Sequence, residues 1–113
     1  MSSAETGFRT LGKAADVPEG YVMPYYLADL KRRIAVAHVE GKLYAFDDLS
    51  PTDGSPLSAG RLIGTEIMSP CDGSRFDIAS GAASGGAAKA PLPTYDVQAS
   101  NGEVQLKLSI GAS

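Results

Sequence analysis

Cysteine and histidine are almost absent from this sequence. Among 113 residues there is one cysteine, Cys71, and one histidine, His38. These counts exclude a zinc finger, a thiolate-bound metal cluster, a histidine-rich metal site and an internal disulfide. Tryptophan is absent too, and no apolar run has the length of a signal peptide or a membrane-spanning helix. We therefore expect no metal, no cofactor, no membrane contact and a cytoplasmic location.

Strong positive charge is also lacking. The formal net charge is −3, and the one tight basic run is Lys31-Arg32-Arg33. Such a run at the entrance of a strand is more often a solvated edge than a phosphate-binding patch, so we expect no nucleic-acid partner. The length suits a single domain, which we place at residues 1–113.

The sequence is rich in turn-forming residues. Thirteen glycines and seven prolines separate short apolar runs, which is typical of an antiparallel all-β protein. Gly41-Lys42 and Asn101-Gly102 predict hairpin turns. The predicted framework strands lie at residues 8–11, 21–27, 34–40, 43–46, 95–99 and 103–110. In the last of them one face should be buried, because apolar residues alternate with polar ones at Val104, Leu106, Leu108 and Ile110.

The middle of the chain differs from both ends. Residues 48–89, approximately, are loop-rich, with short apolar runs at 62–63, 66–68 and 75–78. A loop-rich insert of this length in a β framework usually has a functional reason. We therefore predict a framework at about 8–47 and 90–110 and an inserted subdomain at about 48–89. Residues 81–88 are mostly Gly, Ala and Ser and are predicted to be flexible.

Two motifs in the insert resemble those of Rieske-type [2Fe-2S] ferredoxins. Residues 49–60, LSPTDGSPLSAG, resemble the family's first box, a C-x-H motif with a PLS-x-G tail. Residues 69–77, SPCDGSRFD, resemble its second box, C-P-x-H-G-x-x-F-D. Matching flanks extend the resemblance over nearly the whole chain. It implies an all-β fold, a Rieske-like antiparallel β-sandwich with a loop-rich inserted subdomain, which in the family is a scaffold for electron transfer.

The resemblance also shows which positions have changed. It places the family's two cluster cysteines at Ser50 and Ser69 and its two cluster histidines at Thr52 and Asp72. A Rieske cluster needs two thiolates on one iron and two imidazoles on the other. Hydroxyls and one carboxylate are too few and too hard to replace them. The sequence therefore predicts a member of the family without its cluster.

The same framework should hold the substituted positions together at the tip of two loops. The candidate ligand-pocket residues are Ser50, Thr52, Asp53, Ser55, Ser69, Cys71 and Asp72. One interpretation is an ordinary solvated loop, in which such side chains bond to nearby backbone. Another is a polar pocket in which Asp72 acts as general acid or base and Thr52 orients a ligand. A third is weak binding of a hard cation by Asp53 and Asp72.

A disulfide braces the two loops in some family members. The resemblance places its two halves at Ser55 and Cys71, so it cannot form within this chain. The loops must then be ordered by local hydrogen bonds and by apolar burial.

Three functions are compatible with this pattern. Our main expectation is a non-redox role, as a ligand-binding module or a cofactor-independent lyase, cyclase or isomerase that takes a small molecule in the emptied pocket. The first alternative is a regulatory or docking subunit for an oxygenase or reductase partner. The second is a ligand-substituted variant of a soluble Rieske ferredoxin whose natural role is electron transfer.

Overall fold

The computed structural model describes residues 8–107 as an all-β chain with two short 3-10 helices, Ala14–Asp16 and Leu57–Ala59. Its strands are β1 (Phe8–Lys13), β2 (Val22–Leu27), β3 (Arg32–Val39), β4 (Lys42–Asp47), β5 (Arg61–Ile63), β6 (Glu66–Met68), β7 (Arg75–Asp77), β8 (Ala83–Gly85), β9 (Thr94–Ser100) and β10 (Glu103–Lys107). They form a six-stranded sheet in the order β1-β10-β9-β4-β3-β2 and a four-stranded sheet in the order β5-β6-β7-β8. None of the helices in these residues is long and apolar enough to cross a membrane.

The six-stranded sheet consists of two halves that enclose one core. Strands β4 and β9 pair only at Ala45–Tyr95 and Phe46–Thr94, so this short ladder joins two three-stranded units. The buried residues between them are Val17, Leu27, Ile34, Val36, Ala45, Val104 and Leu106. Burial of the last two confirms the predicted alternation in the final strand, whose positions 108 and 110 lie outside the described residues.

Strand β3 is buried on both faces and connects this core to the insert. Ile34 and Val36 face the core between the two halves, whereas Ala35 and Ala37 belong to a second core. The other members of the second core are Val39, Phe46, Leu57, Ile67, Phe76, Ile78 and Leu92. A strand covered on both sides appears in sequence as a continuous apolar run, which is the pattern of residues 34–37. The four-stranded sheet is therefore fixed to the six-stranded sheet by apolar packing.

Two hairpin turns define the ends of the framework strands. Asn101 and Gly102 have φ values of 54° and 76°, as the predicted type I′ turn requires. The first hairpin turns at Glu40 and Gly41, with φ values of 52° and 78°, one residue earlier than predicted. The Glu19 carboxylate accepts hydrogen bonds from both of their backbone N–H groups, and this contact from outside the hairpin favours that register.

The segment at residues 81–88 is more ordered than its composition predicts. It contains β8, which pairs with β7. At Gly86, where φ is 65°, an added Cβ would lie 2.2 Å from the carbonyl oxygen of Gly73. The small residues that indicated flexibility are therefore needed for close packing against the neighbouring loop.

Candidate functional site

The first tip loop, residues 49–60, is anchored to the framework by Asp48. This residue follows β4 directly and is fully buried. Its carboxylate accepts hydrogen bonds from Nε of Arg33 and, at 2.7 Å, from the backbone N–H of Ser58. Two consecutive aspartates such as Asp47-Asp48 are typical of a solvated turn, yet Asp48 is buried. The register of β3 against β4 could have indicated this contact, because pairing of Ile34 with Asp47 brings Arg33 beside Asp48.

A second polar contact joins β9 to β4 below the same loop. The Tyr95 hydroxyl donates to Asp47 at 2.6 Å and accepts from Nη1 of Arg32 at 3.0 Å. Burial, reinforced by the hydrogen bond to Asp47, raises the pKa of Tyr95 to about 12. The hydroxyl is therefore a neutral donor near neutral pH. Sequence reasoning missed this contact, since nothing local relates positions 48 residues apart.

Within the first loop, side chains hold the backbone in a tight turn. The Ser50 hydroxyl accepts from the backbone N–H of Thr52 at 3.1 Å. The Asp53 carboxylate accepts from the N–H of Ser55 at 3.0 Å. The N–H of Ser50 donates to the carbonyl of Ser55 at 2.8 Å, and Gly54 between them has a φ of 77°. These contacts are the backbone-bonding pattern expected of an ordered polar loop.

The second tip loop, residues 69–74, repeats this pattern at equivalent positions. The Ser69 hydroxyl accepts from the N–H of Cys71 at 3.3 Å, and the Asp72 carboxylate accepts from the N–H of Ser74 at 3.0 Å. The N–H of Ser69 donates to the carbonyl of Ser74 at 2.8 Å, and Gly73 has a φ of 74°. The two loops thus share one hydrogen-bond scheme, with serine, aspartate and glycine at matching offsets.

The structure brings the two loops into direct contact at one pair of predicted site residues. The hydroxyl oxygens of Ser55 and Ser69 lie 2.8 Å apart. Burial then divides the predicted pocket into two groups. The hydroxyls of Ser50, Ser55 and Ser69 are buried, whereas the exposed members are Thr52, Asp53, Cys71 and Asp72. These residues pack as two adjoining turns.

The candidate catalytic residues Thr52 and Asp72 are exposed and lie outside the groove formed at the six-stranded sheet. This groove of about 290 Å³ lies between β4 and β9, and none of the predicted pocket residues lines it. The hydrogen bond from the Ser74 N–H holds the pKa of the Asp72 carboxyl below its usual value. A carboxylate stabilised in this way is a weaker base and is not protonated near neutral pH. The catalytic roles of Thr52 and Asp72 stay predictions, and both residues take part in turns.

The fold and the paired loops define a class of small antiparallel β domains in which two contacting loops lie beside a second, four-stranded sheet. Within that class, the family described as the Rieske-like [2Fe-2S] domain matches residues 8–107, and the chain belongs to this family. The family predicted from the two motifs is therefore confirmed.

Known proteins similar to this chain are ferredoxins of dioxygenase systems. The ferredoxin component of the naphthalene 1,2-dioxygenase/salicylate 5-hydroxylase systems of Ralstonia sp is 36% identical over 93 residues, covering 82% of this chain and 88% of that protein. The naphthalene 1,2-dioxygenase ferredoxin component of Pseudomonas putida is 33% identical over 95 residues, covering 84% and 89%.

Solved structures similar to this chain are also ferredoxins or contain one. The Sphingomonas yanoikuyae B1 ferredoxin superposes with a TM-score of 0.82 at 31% identity, covering 88% of this chain and 97% of that one. A complex of reduced oxygenase and oxidised ferredoxin of carbazole 1,9a-dioxygenase matches with a TM-score of 0.82 at 25% identity, covering 89% and 93%.

These relatives overturn the main functional expectation from the sequence. The similar proteins are ferredoxins, which transfer electrons, and two of them are components of dioxygenase systems, so a non-redox binding module or cofactor-independent catalyst is not supported. The small-molecule ligand expected for that role is not shown either. The error arose because the changed ligand positions were given more weight than the scaffold, which is retained along the whole match.

The residues at the tip do not fit a [2Fe-2S] cluster. One cysteine and one histidine in the whole sequence cannot supply two thiolates and two imidazoles. The hydroxyls at positions 50 and 69 are engaged in hydrogen bonds, and Asp72 caps its own turn. Among residues 8–107, no group of three or more His, Cys, Asp or Glu side chains is placed to hold a metal ion.

Proposed function

We propose that this chain is a ligand-substituted variant of a soluble Rieske ferredoxin whose natural role is electron transfer to the oxygenase of a dioxygenase system. Support comes from ferredoxin components that are 33–36% identical over more than four fifths of the chain. A structural neighbour that is a complex of ferredoxin with oxygenase supports an oxygenase as the protein partner. An exposed, unpaired Cys71 accords with a cytoplasmic location.

The observation that carries the proposal is the intact architecture around the substituted positions. Both tip loops keep one turn geometry, with Ser50 and Ser69 each donating its N–H to a carbonyl five residues later. Gly60, in the tail of the first motif, lies so close to β6 that an added Cβ would be 1.9 Å from the carbonyl oxygen of Met68. A scaffold that keeps such contacts retains the backbone positions from which cysteine and histidine would project.

The proposal is tested by restoring the four ligands together. The variant carries S50C, T52H, S69C and D72H, and the parent chain is its matched control. After reconstitution with iron and sulfide, the variant should be reduced reversibly and should sustain turnover of an oxygenase of the naphthalene dioxygenase type. A variant that assembles a cluster but delivers no electrons to any such oxygenase would contradict the assigned role. One that folds and stays colourless would contradict the claim that the scaffold is intact.

Docking on the oxygenase is a second candidate role, favoured by the ferredoxin–oxygenase complex among the structural neighbours. A chain that keeps the scaffold should keep the surface that recognises the partner. The parent chain should then slow turnover supported by the restored variant in a concentration-dependent, saturable way. Turnover that does not respond to a large excess of parent chain would exclude this role.

A further inference from the structure

Ser55 and Ser69 form a direct side-chain hydrogen bond between the two tip loops. Both side chains are largely inaccessible, at 9% and 3% exposure. The other side-chain hydrogen bonds described above for these loops stay within one loop, or join the first loop to the framework. Burial excludes water as a competing partner, so a lost bond here is not replaced at once by solvent.

The protons in this contact can be placed from the chemistry of the groups. The Asp53 carboxylate is an acceptor, and the Ser55 hydroxyl donates to it at 2.7 Å. The proton of Ser55 is then committed, so the Ser69 hydroxyl donates across the 2.8 Å gap to the oxygen of Ser55. The Ser69 oxygen in turn accepts from the N–H of Cys71 at 3.3 Å. Each donor has one acceptor, and the chain ends on an ionised carboxylate, which strengthens it.

We propose that the chain Ser69–Ser55–Asp53 is a hydrogen-bonded cross-link that holds the two tip loops together without a metal. The resemblance places one half of the family's loop-bracing disulfide at Ser55. In this chain a hydrogen bond from that position joins the two loops instead. Apolar packing of Leu57 and Phe76 beneath the loops supports the arrangement. The two tip loops thus stay in contact through hydrogen bonds between their own side chains.

Amide hydrogen exchange of the purified full chain tests this proposal. S69A removes a hydroxyl from the second loop only, yet it should also speed exchange in the first loop, at the N–H groups of Ser50 and Gly54. The expected increase is about five-fold, which corresponds to about 1 kcal/mol for one buried hydrogen bond. S84A removes an exposed hydroxyl from β8 and is the matched control, with no change expected in either loop. Extensive treatment of the parent with chelators should leave exchange at the tip unchanged.

A second variant distinguishes the cross-link from a local effect. S55A should raise exchange in both loops, and its effect should be smaller in the S69A background, because the shared bond is then already lost. Faster exchange confined to the second loop in S69A would overturn the proposal. Additive effects of S55A and S69A, or a parent tip that opens after metal removal, would overturn it equally. These results are independent of the oxygenase, so they do not depend on the proposed function.

Discussion

Replacing Asp48 by alanine should be one of the most damaging single changes in the framework. The side chain is fully buried, and its loss leaves the N–H of Ser58 without its acceptor. An unsatisfied N–H costs about 1–3 kcal/mol when it is fully buried, and about 1–2 kcal/mol in the part-buried environment of Ser58. The lost contact with Arg33 adds only about 0–1 kcal/mol, because that guanidinium is 43% exposed and can be hydrated. We therefore expect a decrease of about 1–3 kcal/mol in the free energy of unfolding.

Asp29 offers a matched control for this change. It pairs with Arg9 through two hydrogen bonds of 3.0 and 3.1 Å, but the two side chains are 60% and 41% exposed. Asp29→Ala therefore removes the same charge and the same type of pair, with a much smaller loss of stability expected. Urea unfolding of both variants, monitored by circular dichroism, measures the difference in their free energies of unfolding. The comparison requires that the two variants have the same m-value. Equal losses in the two variants would refute the argument that burial of Asp48 makes it the anchor of the first loop.

Three further predictions concern single positions. Because the pKa of Tyr95 is raised to about 12, the contribution of Tyr95 to stability should be constant below the ordinary value of 10.0 and be lost as pH rises towards the raised value. A spectroscopic titration of tyrosinate should show a late step that Tyr95→Phe removes. Gly60→Ala should lower stability by about 2–3 kcal/mol through the clash with the Met68 carbonyl, measured by thermal unfolding. The N–H of Ser74 lowers the pKa of Asp72, so stability present above its ordinary pKa is lost as pH falls through the lowered one, and Asp72→Asn should flatten that acid limb.

Local patterns were enough to predict most of the fold. The turn at Asn101-Gly102 needs positive φ at both residues, a condition that these two residue types meet well. The short apolar runs of the insert became β5, β6 and β7, and their side chains Ile67 and Phe76 are fully buried. These features depend on residues close in sequence, so the sequence alone could indicate them.

The missed features depend on partners that are distant along the chain. Asp48 is buried because Arg33 reaches it from another strand, and the aspartate dipeptide by itself is typical of a turn. The bond between Ser55 and Ser69 depends on how the insert folds back on itself, which no local pattern contains. The paired loops were predicted, but their hydroxyls were taken as solvated or as pocket donors, whereas three of them are buried.

The functional error has a physical cause as well. Changing a few ligand side chains alters which metal a protein can hold, yet it leaves the fold and the surface that a partner recognises. The class of partner is therefore better indicated by similarity along the whole chain than by the four substituted positions. The ferredoxin relatives cover more than four fifths of the chain.

Whether the four substituted side chains alone keep this scaffold from holding a cluster is measured by metal analysis of the parent and of the restored S50C, T52H, S69C and D72H variant, reconstituted side by side. Iron and labile sulfide should be found in equal, stoichiometric amounts in the variant and should both be missing from the parent. Stoichiometric iron and sulfide in the parent, or none in a correctly folded variant, would contradict this expectation.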